Sequence, residues 1–588
     1  MLRVAQLSVP AWLPLQQLFL LVAVLASLAV AHRFTPGDRR WGDVLRRRFV
    51  LGVPWGTLLT VLGVLSVYWV VQGGWQHPRQ PLTIPFRSWS YFYPLGTLTS
   101  GFAHSGVGHI TGNLRGTLIY APLVEYAVGH YPRQRGSQSF ASLRTNPFAR
   151  VLVIPAGSLL VGLFTGLFSL GPVIGFSGVV FAYIGFALVA TPLAAVLALV
   201  SGRVVALFYT AIRYPWVRRQ PSSSFGAPWW SDIAIQGHAI GILLGVCLAI
   251  ALVRRHDRRP TALAVWFAAL VVGIRQSLWA VYTPAGANTY VLFRAVGVGL
   301  VFVFAALVVT AVGASDRPLR PRLGGRFPGV RSRLARLRDR GGSAVSDGSG
   351  GAGPSRRRVA LVLLVAALVV LSATAVPFGF ATVSGDLPDD AATVEVRDYT
   401  VTYVENVPNQ YASVLEGVSL FGLSYDADTV QSSGVVVFSE QRRVWIQQVS
   451  KGRLAHSGHA TVRVGGLGWR EAVYADREGW SLVGNGSTYT VTLRPSGGQP
   501  RLAYAADAVR AEPVVAGRNV SIRPSETGFE LLVSRESETL GTAPVPLASN
   551  QTTVGGLTFN RTGRQLFAVR NDTRVRVAQR SVPPAQRN

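Results

Sequence analysis

Ten long apolar runs constrain this chain more than any other feature. They lie near 11–31, 49–72, 98–128, 151–170, 176–191, 193–212, 234–253, 261–282, 289–313 and 359–382. A helix needs about 20 apolar residues to cross the hydrocarbon core, where its backbone must satisfy its own hydrogen bonds. The runs therefore predict a polytopic α-helical membrane protein of about ten spans. The run 176–191 is short and is bounded by Gly-Pro and Thr-Pro. The first run has some marks of a signal peptide, namely Arg3, an apolar stretch and Ala29-Val30-Ala31. Its length and the Arg-rich segment directly after it favour a retained helix.

The net charge of +29 on 588 residues would suit a nucleic-acid binder, but only 14% of the residues are charged. A basic soluble domain carries far more charge on its surface. The excess is also confined. Residues 1–383 hold 36 Arg against eight acidic residues, whereas residues 384–588 are nearly neutral. Within the apolar part the arginines cluster in segments 32–48, 129–150, 254–259 and 314–358. Counting ten spans puts all four on one side, which the positive-inside rule makes cytoplasmic, with both termini outside. Arg218 and Arg219 dissent, on the outer side. The segment 314–358 is rich in Arg, Gly, Ser and Pro and lacks apolar periodicity. It reads as a disordered linker, either lying on anionic lipid headgroups or serving as a plain tether.

Residues 384–588 change character. Short alternating runs such as Thr393–Val404, Gly434–Ser439, Thr488–Leu493 and Arg574–Ala578 are separated by Gly, Asn, Pro and Ser. This pattern predicts an all-β, sandwich-like domain. Five Asn-x-Ser/Thr sequons, at Asn485, Asn519, Asn550, Asn560 and Asn571, fall here and none falls earlier. They are candidate glycosylation sites, which agrees with an extracytoplasmic placement. The single cysteine, Cys247, lies in an apolar run and reads as a packing residue. A disulfide framework and a thiolate metal site are thereby excluded. His456 and His459 have no partner Cys or acidic motif, so no metal and no cofactor is expected.

Polar residues inside spans are costly and ask for a reason. Three groups stand out. Gly101-Phe-Ala-His104-Ser-Gly-Val-Gly-His109-Ile-Thr-Gly-Asn113 leads into an apolar helix. Gly175-Phe176-Ser177-Gly178 opens the short span, and Gly237-His238-Ala-Ile-Gly241-Ile-Leu-Leu-Gly245 opens another. The topology puts all three at the outer ends of their helices. A Ser and a His on neighbouring helices can form a nucleophile–base pair that attacks a carbonyl. The resulting oxyanion needs donors in place. The Ser177 backbone N–H, the Asn113 amide and the His109 ring are candidates, the last two sharing a helix face four residues apart. Gly241 and Gly245 form a small-residue face for close helix packing.

These ordered motifs resemble the rhomboid family of intramembrane serine proteases. His109-x-x-x-Asn113, Gly175-x-Ser177-Gly178 and His238-x-x-Gly241-x-x-x-Gly245 match the family pattern on its second, fourth and sixth core helices. Glu125-x-x-x-Gly129 matches a further motif at the inner end of the second core helix, and His104 an upstream His. Phe181 matches the aromatic position beneath the catalytic His. The resemblance covers about residues 49–255 and implies a six-helix core. It implies Ser177 as nucleophile, His238 as general base, and His109 and Asn113 at the oxyanion hole. It also implies cleavage of the transmembrane segments of other membrane proteins near the outer face. A Trp-Arg pair common in the family's first loop is not found in 73–93, where only Arg87 and Trp89 are near.

The expected organisation is as follows. Residues 1–48 hold an extra helix and basic loop, 49–255 the protease core, 256–313 two added helices, 314–358 the linker, 359–383 the last helix, and 384–588 the β domain. The expected protein is a multi-pass cell-membrane endopeptidase whose partners are transmembrane substrates and membrane lipid, with no nucleic acid. A surface or glycan partner for the β domain is open. Two other readings remain: a catalytically inactive relative that binds membrane clients, and a transporter. The transporter reading predicts inverted repeats or a second broken helix, which the sequence does not show.

Overall fold

The computed structural model describes residues 14–34, 41–131, 140, 142–213, 234–256, 260–284, 290–314, 355–384, 387, 391–411, 419–420, 423–424, 431–484 and 486–586. The linker, its ends apart, lies outside these residues, as do Arg218, Arg219 and Asn485. The principal helices are α1 (Leu15–Phe34), α2 (Trp55–Ser66, prolonged by a π-helical turn to Val71), α3 (Pro94–Ser100), α4 (Val107–Val128), α5 (Val153–Phe168) and α6 (Ser177–Ala190). Then come α7 (Pro192–Arg213), α8 (Ile235–Arg255), α9 (Ala262–Arg275), α10 (Arg294–Gly313), α11 (Arg356–Ala373) and the short α12 (Val376–Gly379). Each of the ten apolar runs contributes a helix. Five helical stretches among the described residues are long and apolar enough to cross a membrane. The run 98–128 is not one helix: the Gly-rich stretch 101–106 breaks it, separating α3 from α4 and placing His104 in the break.

The bundle is organised around α6. Every residue from Gly178 to Val189 is buried, against α4, α5, α7 and α8. That enclosure explains its shortness. Fourteen residues rise about 21 Å, less than the hydrocarbon core, but a helix surrounded by protein need not reach both water faces. Glycine sets its distance from α8. A Cβ on Gly245 would lie 1.9 Å from the Ala182 carbonyl oxygen, on Gly241 2.2 Å from that of Gly178, and on Gly185 2.3 Å from that of Ile242. The two backbones touch at three points over about two helical turns of α6, as small residues permit in lipid. Cys247, on α8, packs at the margin of this core.

At the other end of α4, Glu125 closes the bundle. Its carboxylate accepts from the Gly56 and Thr57 amides (both 2.8 Å) and the Thr57 hydroxyl (2.7 Å), capping the start of α2. It also accepts from His130 Nε2 (2.6 Å), while His130 Nδ1 accepts from the Val50 amide (3.0 Å). Gly129, at φ +71°, returns its N–H to the Glu125 carbonyl (2.7 Å). The free carbonyls at the end of α4 go to arginines of two of the basic segments. Arg48 binds those of Tyr126 and Ala127, and Arg150 those of Val128 and Gly129. Replacing Glu125 by Ala strands two amides, a hydroxyl and a histidine N–H in a dry interior. We expect a loss of about 3 kcal/mol, measured as a fall in the melting temperature of the detergent-solubilised protein.

The C-terminal region is built of antiparallel sheets. One sheet runs β1 (Thr393–Val396), β2 (Tyr399–Pro408), β3 (Gln431–Ser439), β4 (Val444–Ser450). The largest has the order β8-β7-β6-β16-β15-β14-β13, with β5 also pairing β6. Its members are β5 (His459–Gly466), β6 (Trp469–Leu482), β7 (Ser487–Pro495), β8 (Arg501–Ala505), β13 (Gln551–Val554), β14 (Leu557–Thr562), β15 (Gln565–Arg570) and β16 (Thr573–Arg580). The third runs from β9 (Val509–Arg510) to β12 (Glu538–Pro544), with β10 (Asn519–Ser525) and β11 (Gly528–Arg535) between them. The run Thr393–Val404 is a hairpin rather than one strand, turning at Arg397 with φ +56°. The region has two hydrophobic cores. Val473 and Ala475 of β6 belong to one, Trp480 and Leu482 to the other. Of the sequons, Asn550 and Asn571 are exposed, whereas Asn519 and Asn560 are half-buried on strands.

Glu405, on β2, accepts from Lys451 (2.6 Å), from the Tyr403 hydroxyl (2.7 Å) and from the Tyr489 hydroxyl. Burial alone would raise its pKa, but these three donors outweigh it and hold the carboxyl below its ordinary value. A depressed carboxylate stabilises the fold above its unfolded pKa, and the contribution disappears as pH falls through the folded value. The melting temperature of the β region is therefore expected to drop as pH falls below the ordinary carboxylate range. Glu405→Gln should flatten that drop in a pH series followed by circular dichroism.

Candidate active site

Ser177 is the first residue of α6 and His238 lies in the first turn of α8. Both helices begin at the same end of the bundle, and the glycine contact between Gly241 and Gly178 fixes how close they come. His238 Nε2 lies 2.9 Å from Ser177 Oγ. The imidazole stacks on Phe181, one turn after Ser177, with centroids 3.9 Å apart and planes 11° from parallel. His238 Nδ1 is buried and has no hydrogen-bond partner among the described residues. The pair thus has, among those residues, no third group aiming the imidazole; the Phe181 face does that by packing. For Nε2 to accept the Ser177 proton, Nδ1 must carry the ring's own hydrogen.

Gly175 precedes the nucleophile at φ +134°, a conformation that favours glycine. Space demands glycine as well, because a Cβ there would lie 2.5 Å from the His109 ring and 3.7 Å from Asn113 Nδ2. His109 and Asn113 therefore flank the backbone that leads into Ser177. The Ser105 N–H reaches His109 Nδ1 at 3.5 Å and the Ser105 hydroxyl lies 3.0 Å from the same atom. With Nδ1 accepting, Nε2 carries the proton and faces Gly175. Asn113 Nδ2 donates one hydrogen to His104 Nε2 (3.0 Å), which leaves the second. His104 is fully buried in the break between α3 and α4. Its N–H and C=O are both held by the Gln72 side chain, at 2.7 and 2.8 Å.

Ser177 and His238 open into a cleft also lined by Gly101, Thr165, Ser169, Val173, Ile174, Gly175, Ala234 and Gly237. Glu125 and Gly129 lie at the opposite end of α4 and touch none of this. His456 and His459 are far along the chain on the β region, and no cluster of His, Cys, Asp or Glu that could hold a metal occurs among the described residues.

Two side chains that the motifs did not flag support the site. Gln236, two residues before His238, donates to the Phe168 carbonyl (2.9 Å) and the Leu371 carbonyl (2.6 Å) and accepts from the Leu170 amide (2.9 Å). It thereby ties α8 to α5 and α11. Gln72 ties the end of α2 to His104. Both are lone amides beside apolar runs, and that was the available signal.

Residues 92–255 match the family model described as Rhomboid domain. No curated protein and no solved structure matches the chain. The matched segment starts at the loop before α3 and ends with α8, so it contains Ser177, His238, His109 and Asn113, while α2 lies before it. With its apolar helices the chain is a multi-pass membrane protein. Through residues 92–255, ahead of a β-rich region, the chain carries a segment that matches the rhomboid domain.

Proposed function

We propose that the protein is an intramembrane serine endopeptidase that cleaves transmembrane segments of other membrane proteins with a Ser177–His238 dyad. The observation that carries this reading is the 2.9 Å contact between Ser177 Oγ and His238 Nε2 on a ring stacked against Phe181. Ser177 Oγ attacks the carbonyl carbon of the peptide bond as its proton passes to Nε2. The C–N bond breaks as that proton moves to the leaving nitrogen. Water, giving a proton to the same Nε2, then attacks the Ser177 ester, and its acyl C–O bond breaks as Nε2 returns that proton to Ser177 Oγ. The oxyanion is met by the Ser177 N–H at the start of α6, His109 Nε2–H and the second Asn113 hydrogen.

The Arg-rich segments at the Glu125 end support a cytoplasmic position for that end, with the dyad and the β region facing outward. The protease core then spans 49–255, with α9 and α10 in 256–313, the last helix in 359–383 and an extracytoplasmic β domain in 384–588. Among the described sequons, Asn550 and Asn571 are the best exposed for glycosylation.

A fluorophosphonate probe on the detergent-solubilised protein tests the dyad. We expect labelling at Ser177 that His238→Ala removes. A folded wild type that stays unlabelled while membrane proteins co-purify with it would instead favour the inactive client-binding reading.

A further inference from the structure

The loop 72–93, between α2 and α3, has two faces. On one face it is part of the β region. Ile84 and Trp89 are buried in the first β core, with Trp89 against Tyr411 at 5.9 Å between centroids. Arg442 of the β region donates to the Tyr93 hydroxyl (3.2 Å), and Arg470 to the Gln80 carbonyl (3.0 Å). On the other face it holds the loop 169–176 that ends on the nucleophile. Arg87 donates to the Pro172 carbonyl (3.1 Å), and Ser88 exchanges hydrogen bonds with Val173 in both directions (3.1 and 3.2 Å).

Tyr91, between these contacts, ties the end of the last helix to the end of α5. Its N–H donates to the Gly379 carbonyl (2.7 Å), where the last helix passes into the β region, and its ring meets Phe380 edge-on. Its hydroxyl donates to the Leu167 carbonyl (2.9 Å) at the end of α5, just before the loop 169–176. Gly379 gives Tyr91 its seat, since a Cβ there would lie 2.2 Å from the ring.

We propose that the β region is a structural part of the active site, joined to it through the loop 72–93, and that Tyr91 of this loop is the positioning residue that locks the helix end leading into the β region against the segment carrying Ser177. The proposal rests on the protease reading and adds to it a role for the β region. That region braces the catalytic face by way of the loop 72–93, whatever clients it also meets. Buried contacts of this kind have discrete seats, so a shift at Gly379 is passed to the loop rather than absorbed.

The test uses the full chain with Tyr91→Phe, which removes only the hydroxyl bond to Leu167, and Gly379→Ala, which unseats the ring from the side of the last helix. Both are expected to lower the rate of fluorophosphonate labelling at Ser177 and kcat for a membrane-anchored reporter about tenfold, with KM within about twofold. The double variant is expected to be no worse than the worse single variant, because both act on one path. Amide hydrogen exchange at Val173 and Gly175 is expected to speed up in both variants. Unchanged exchange at these amides overturns the proposal, as does wild-type labelling and cleavage by both folded variants. Faster exchange in the variants beside a wild type that never labels would sink the protease reading alone and leave the coupling standing.

Discussion

Ser177→Ala is expected to reduce cleavage of a membrane-anchored reporter by at least about 10³-fold, to the background of the assay, with no change in melting temperature. In other serine hydrolases, loss of the nucleophile alone costs about as much as loss of the whole catalytic set. The lost group is one oxygen at the mouth of a cleft. Its hydrogen bond joins two helices that are already held by the contacts of Gly178, Gly185, Gly241 and Gly245, so the fold does not depend on it. The assay is run on purified protein reconstituted in vesicles, so no other protease contributes. Residual cleavage at the wild-type rate would show that the pair at 2.9 Å is a helix–helix hydrogen bond and nothing more.

The second large effect concerns the α6–α8 contact, and two alanines separate its two consequences. In Gly241→Ala the added methyl would lie 2.2 Å from the Gly178 oxygen, next to Ser177 and less than one turn from His238. The helices must part there, and a displacement near 1 Å at a reacting pair costs about 10²-fold. In Gly245→Ala the methyl would lie 1.9 Å from the Ala182 oxygen, about two turns below the dyad. There the strain is expected chiefly as lost stability, about 2–3 kcal/mol. A split in which Gly241→Ala lowers kcat more than melting temperature, and Gly245→Ala the reverse, would bear out this geometry. Wild-type values for both would mean that the helices can part without cost.

Much of this arrangement was legible in the residues. Apolar run length gave the helices because lipid leaves the backbone no other partner, and the alternating pattern gave the strands. Ser177, His238, His109 and Asn113 could be singled out because polar groups at helix ends in an apolar segment are conspicuous. What the sequence hid was long-range. Nothing local says that Trp89 is buried in a core with residues some 300 positions later, or that Tyr91 bridges Leu167 and Gly379. An aromatic-rich loop looks the same whether it faces lipid, water or another domain. In the loop 73–93, Arg87 and Trp89 stand close to a Trp-Arg pair in sequence, yet they point to opposite faces with different partners. The split of Thr393–Val404 at Arg397 was only faintly signalled: its Arg-Asp turn carries no Gly, Pro or Asn, and Asp398 is its one turn-forming residue.

One strand bears on where such a chain can be cut. β6 runs fourteen residues, from Trp469 to Leu482, giving its first half to one core and its second half to the other. A recombination breakpoint or an insertion inside it would damage both cores at once. The β region, although it has two cores, therefore cannot be cut inside this strand without harm to both.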